Sequence, residues 1–78
     1  MLVVRYFAGA RSAAGTTEEK VQAGSLGELL AVVGASRPRL SEVLPACSFL
    51  VDGLAWKDHA APLPESATVD VLPPFAGG

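Results

Sequence analysis

The chain opens on an apolar run interrupted once, by Arg5. In "LVVRYFA", Leu2, Val4 and Tyr6 fall on one side of an extended segment, and Val3, Arg5 and Phe7 on the other. The run is rich in β-branched and aromatic residues, so it reads as a strand with the first set facing the core. That register sends Phe7 outward with Arg5, whereas a slip of one residue would bury it. "GARSAAG" predicts one or two helical turns closed by Gly15 in a left-handed conformation. "TTEEKVQA" then returns to a polar-biased strand, antiparallel to the first.

The period changes in "GSLGELLAVVGAS". Leu26, Leu29, Leu30 and Val33 follow the i, i+3, i+4, i+7 spacing of one buried helical face, and Ser25 and Glu28 have capping-box spacing. Gly34 ends this helix. A shorter helix is expected from Pro38 to Leu44, with Leu40, Val43 and Leu44 inward and Pro45 as the stop. Arg37 and Arg39 flank Pro38 and read as solvated charges.

"ACSFLVDG" reads as a strand entering an Asp52-Gly53 hairpin turn, with Leu54–Lys57 as its short partner. "DHAAPLPES" is loop, broken by Pro62 and Pro64, and "ATVDVL" is the last strand. The chain is too short for a doubly wound sheet. The expected architecture is therefore α+β: a mixed sheet of four or five strands packed by one face on the main helix, with a short second helix. The last strand is placed beside the first. Residues 1–72 form the packed unit in this reading, and residues 73–78 a flexible tail.

Composition narrows the function classes. Seventy-eight residues, half of them hydrophobic, suit one small globular domain. One cysteine makes no internal disulfide, and with a single histidine there is no zinc ligand set. The reducing cytosol is the expected compartment. Arg5 interrupts the apolar start, unlike a signal peptide, and no apolar stretch reaches spanning length. The net charge of −2, with scattered Lys and Arg, argues against a nucleic-acid partner.

No internal catalytic constellation is visible. His59 lies in a Pro- and Ala-rich loop and reads as an exposed residue without Ser and Asp partners. Cys47 alternates with Phe49 and Val51 and reads as a structural thiol rather than a reactive one. Trp56 anchors the loop or covers the core edge, and the glycines lack the spacing and lysine of a phosphate loop.

The ending "VDVLPPFAGG" draws the attention instead. Pro73 and Pro74 stiffen the base of the tail, whereas Gly77 and Gly78 make its tip narrow enough to enter a channel in another protein. Six extended residues from Pro73 reach about 20 Å. A carboxylate at such a tip is inert until activated, for example by adenylation with ATP. Phe75 is too large and apolar for a spacer. Phe7 and Phe75 are therefore expected to form an apolar anchor for partners, with Arg5 or Arg11 as orienting charges.

These features together resemble the ubiquitin-like β-grasp sulfur-carrier family, the MoaD/ThiS superfamily, and within it the small subunits of molybdopterin synthases. The likeness is carried by "YFAGARSAAG", which fits an aromatic-Phe-Ala-x-x-Arg-x-x-x-Gly pattern at Phe7, Ala8, Arg11 and Gly15. "LGELL", the "VDG" turn and "LPPFAGG" add to it. Ser12 and "PESATV" depart from the pattern, the latter standing in place of a commoner Gly-Asp turn.

The resemblance implies a β-grasp fold and a non-catalytic carrier. An E1-like adenylating and sulfurating enzyme would adenylate Gly78 and convert it to a thiocarboxylate. Ala76, Gly77 and the two prolines would thread the tail into the partner. The large subunit of molybdopterin synthase would use the sulfur to build the dithiolene. No cofactor would be bound permanently, and ATP would be consumed on the activating enzyme. A sulfur carrier for cysteine, thiamine or a secondary metabolite, and a ubiquitin-like modifier of lysines, share the same tail.

Overall fold

The computed structural model describes residues 1–74. The opening run is realised as β1 (Leu2–Tyr6), in which Leu2, Val4 and Tyr6 are buried, Val3 is half-buried and Arg5 exposed. Phe7 breaks the strand by serving as N-cap of α1 (Ala8–Ala14). Ala10 and Ala14 pack inward, and Gly15 closes the helix at φ 79°, a left-handed value that a Cβ would oppose.

The polar strand β2 (Glu18–Val21) is shorter than its sequence pattern suggests. Thr17 is used instead to accept the Tyr6 N–H at 2.9 Å, and the Thr16 hydroxyl donates to the Glu18 carbonyl. The chain then enters α2 (Leu26–Gly34), where the Ser25 hydroxyl accepts from the Glu28 N–H at 3.2 Å. Glu28 in turn accepts from the Gly24 N–H at 3.0 Å. The predicted capping box thus forms, with its return arm reaching one residue beyond the cap. Leu26, Leu29 and Val33 bury the expected face.

The second helix, α3 (Pro38–Val43), begins with Pro38 in its first turn and buries Leu40. The α-helix ends just before Pro45, as expected, and residues Leu44–Ala46 tighten into a 3-10 turn, which tolerates the missing N–H and keeps Leu44 buried. Strands β3 (Ser48–Val51) and β4 (Leu54–Ala55) follow as a hairpin. Asp52 and Gly53 both have positive φ, 49° and 84°, as a two-residue primed turn requires.

The last strand is β5 (Thr68–Leu72), and the sheet order is β2-β1-β5-β3-β4. β1 and β5 are parallel, with Tyr6 beside Val71, and the other neighbours are antiparallel. The expected mixed sheet therefore has five strands, its final strand lies beside the first, and the architecture is a β-grasp. Leu2, Val4, Tyr6, Phe49, Val51, Val69 and Val71 join Leu26, Leu29 and Leu40 in one core. Full burial of each such side chain stabilises the fold by about 1.5–3 kcal/mol before entropy is counted.

The loop between β4 and β5 is strapped over the start of α2. The His59 carbonyl accepts the Gly27 N–H at 2.9 Å, Leu63 N–H donates to the Gly24 carbonyl, and Ser25 pairs with Pro62. An orphan donor of the helix terminus is thereby satisfied by a distant loop. A Cβ on residue 27 would lie 3.2 Å from the His59 oxygen, so glycine permits this approach.

Arg37 departs from its expected solvated role. It reaches Glu19 with both Nη atoms, one bond being 3.0 Å, while the Tyr6 hydroxyl donates to the same carboxylate. The Arg37 hydrogen bond holds Glu19 below the usual carboxylate range, and burial together with Glu19 pushes the Tyr6 phenol up. This network ties β1 and β2 to the connection between α2 and α3. Sequence spacing gave no sign of it, because its members are 13 and 18 residues apart.

Candidate functional site

Parallel pairing of β1 with β5 decides where the candidate residues lie. Both strands run toward the same end of the sheet, so Phe7, one residue past β1, stands level with the exit of β5 at Leu72 and Pro73. Arg11, on the helix that Phe7 caps, belongs to the same end. Phe7 N–H donates to the Val71 carbonyl at 3.2 Å, which fixes that connection directly.

Arg5, Phe7 and Asp70 form one unit on the sheet face away from α2. Arg5 Nε donates to Asp70 Oδ1 at 2.6 Å and Nη2 donates to Oδ2 at 3.0 Å, a bidentate fork. The guanidinium carbon also lies 5.6 Å from the centre of the Phe7 ring, a cation–π distance. Arg5 is thus held by a carboxylate on one strand and an aromatic ring at the end of its own. Its pKa is raised, first by the hydrogen bond to Asp70. The Arg5 side chain keeps 47% of its exposure and Asp70 only 10%, so the pair presents a cation and hides the anion.

Glu18 lies opposite Arg5 on β2 and adds a further attraction. Val3, Leu50 and Leu72 alternate onto the same face and are half-buried. The face therefore combines modest apolar area with a positioned charge, a composition suited to protein recognition.

The remaining candidates divide by position. Arg11 is exposed, and its Nε donates to the Tyr6 carbonyl at 3.4 Å, so it sits beside the β1 exit without joining the Arg5 pair. Pro73 is buried and Pro74 exposed. Phe75, Ala76, Gly77 and Gly78 lie outside the described residues. Asp70 was missed as a site member, although its outward place between Val69 and Val71, on a strand parallel to β1, is the signal that finds it.

The residues set aside for chemistry are placed elsewhere. Cys47 is half-buried just before β3, its thiol donating to the Val43 carbonyl at 3.3 Å, and burial pushes its pKa up. His59 is exposed, its ring edge-on to Phe49 at 6.0 Å. Trp56 is half-buried against the core edge and its Nε1 donates to the Asp58 carbonyl. Among the described residues no three His, Cys, Asp or Glu side chains gather as a metal site, and no helix is long and apolar enough to cross a membrane.

Comparison with known proteins gives a consistent picture. The profile of the ThiS family matches residues 4–78. No curated protein sequence matches significantly. Among solved structures, a complex of subunits 1 and 2 of the molybdopterin-converting factor from Helicobacter pylori 26695 contains a similar chain. It is 25% identical, with a TM-score of 0.75 over 99% of this chain and 97% of that one. The small archaeal modifier protein 1 of Methanosarcina acetivorans is 23% identical, with a TM-score of 0.86 over 99% and 95%. Its namesake from Haloferax volcanii is 20% identical, with a TM-score of 0.83 over 99% and 98%. These two likenesses concern the fold.

Proposed function

Because the chain belongs to the ThiS family, we propose that it carries sulfur as a thiocarboxylate on Gly78 and delivers it in molybdopterin synthesis. The observation that carries this reading is the placement of the Arg5–Phe7 unit at the end of the sheet from which β5 runs on toward "PFAGG". A partner that grips this face also stands over the outgoing chain.

The chemistry follows from the carboxylate. A Gly78 oxygen attacks the α-phosphorus of ATP, pyrophosphate leaves, and the acyl adenylate makes the carbonyl carbon electrophilic. A sulfur nucleophile at the sulfide level then adds to that carbon and AMP departs, leaving the thiocarboxylate. Both steps take place on an E1-like enzyme that binds the ATP. This chain is the substrate, and it contributes the docking face and the narrow tip.

The acceptor reading rests on the likeness to a chain solved in complex with the second subunit of a molybdopterin-converting factor. The large synthase subunit is the corresponding partner here. A ubiquitin-like modifier would share the activation step and differ only in the nucleophile, a lysine amine in place of sulfur. We place this chain in the cytoplasm, where such activating enzymes and ATP are found together.

Removing Gly78, or adding one residue after it, tests the reading. In a purified activation assay either change abolishes pyrophosphate release and sulfur loading, while the melting temperature stays where it is. Normal loading of either variant contradicts the proposal.

A further inference from the structure

At the β4 side of the molecule, a cleft of about 650 Å³ opens between α2, the α3 turn and the β3–β4 hairpin. Its walls are apolar, built from Leu30, Leu44, Pro45, Phe49 and Trp56. The volume falls inside the range of about 300–1,000 Å³ typical of small-molecule clefts, and this one is open to solvent on one side. Among the described residues none that lines it is acidic, in a chain with eight Asp and Glu and a net charge of −2.

The charge that does line it is Lys57. Among the described residues no carboxylate forms an ion pair with its ammonium. The adjacent Asp58 is turned away, its Oδ1 accepting the Ala60 and Ala61 N–H groups at 2.9 and 3.1 Å. Trp56 is steered by its own bond to the Asp58 carbonyl, and the His59 ring is held edge-on to Phe49. The aromatic walls are thus fixed by the same loop that caps α2.

From this combination we propose that the cleft binds a small molecule with a planar apolar body and one anionic group, an aromatic carboxylate or sulfonate. The body lies against Phe49, Trp56 and Leu44, and the anion meets Lys57 at the rim. The site borders the Arg5–Phe7 face at Leu50 alone, contains neither Arg5 nor Phe7, and does not depend on the sulfur-carrier reading.

The probe is 8-anilinonaphthalene-1-sulfonate, titrated into the full chain, and the readout is energy transfer from Trp56, the single tryptophan. Transfer is expected to saturate at one probe per chain. Lys57→Glu is expected to weaken binding about fivefold, as befits an exposed ion pair. Ala31→Glu, which places bulk and like charge on an exposed position of the wall, is expected to weaken it about tenfold or more.

Lys20→Glu makes the same charge change on the opposite edge strand and leaves affinity unchanged. Both cleft positions are exposed, so thermal melts of their variants stay close to the parent. Bound probe also slows alkylation of Cys47, which lines the same cleft. Transfer that fails to saturate, affinity that survives both cleft substitutions, or an equal loss in Lys20→Glu would overturn the proposal.

Discussion

Along β1, Leu2, Val4 and Tyr6 are 3%, 0% and 1% exposed, whereas Val3 between them is half-buried and Arg5 is open to solvent. The same backbone carries both sets, separated only by the pleat. On the inner face the side chains meet α2 and α3 and supply packing. The outer face has no covering layer, yet Asp70 stays buried because Arg5 lies over it. The difference teaches that the outer face is organised by charge and one aromatic ring, and the inner face by volume. Stability and the proposed partner recognition can then be separated by neighbouring substitutions.

The widest separation is expected at adjacent residues of β1. Val4→Ala should lower unfolding free energy by about 2–3 kcal/mol, because it removes a fully buried branch against a packed helix. Val3→Ala should change it by no more than about 0.5 kcal/mol. Urea denaturation of the pair measures both, and equal losses would dissolve the distinction between the faces.

Phe7 is the next test. Its alanine variant should weaken binding to the activating enzyme or the synthase subunit by about 2 kcal/mol, as truncated aromatic anchors do. Its effect on stability should be about half as large, since the ring is half-buried and leans on Arg5. Calorimetric titration beside thermal melts reads the two quantities, and a loss confined to stability would assign Phe7 to the core.

Much of this arrangement is readable from local pattern. The inward set of β1, the Ser25–Glu28 cap, the left-handed Gly15 and the Asp52-Gly53 turn all depend on residues within a few positions of one another, where period and turn chemistry act. The placement of β5 beside β1 follows from having one sheet and one main helix to cover it. What escaped is long-range. Arg5 meets Asp70 across 65 residues, Arg37 meets Glu19 across 18, and the His59 carbonyl caps α2 across 32 positions. Such pairings depend on which strands become neighbours, and a charge alone does not say whether it will be solvated. The cleft beside Trp56 is also invisible locally, since its walls come from α2, α3 and the turn after it, both strands of the β3–β4 hairpin and the loop that follows.

The inner face has its own polar exception, and acid should expose it. Arg37 depresses the Glu19 pKa, so the contribution of this network is complete above the ordinary glutamate range and is lost as pH falls through the lower folded value. Glu19→Gln should cost about 1 kcal/mol at neutral pH and flatten the acid side of the stability profile. Urea midpoints measured from pH 7 down to pH 3 check the slope, and a profile unchanged by the substitution would remove Glu19 from the account.

The smallest expected effect lies where the two faces part company. Ala8, immediately after Phe7, has φ 49°, a left-handed value that costs a residue bearing a Cβ about 1 kcal/mol. Ala8→Gly should therefore raise stability by up to about 1 kcal/mol without touching a packed side chain. A lower melting temperature in this variant would mean that the turn into α1 is not strained.

The central claim concerns Gly78, and the intact mass of the chain purified from cells that hold its activating enzyme tests it most directly. The account predicts a population heavier by the exchange of one oxygen for one sulfur. The exchange should map to the C-terminal peptide, disappear in the variant lacking Gly78, and be lost on incubation with the synthase subunit and its pterin substrate. A chain recovered only as the free carboxylate, or joined through Gly78 to lysines of other proteins with no thiocarboxylate present, would contradict it.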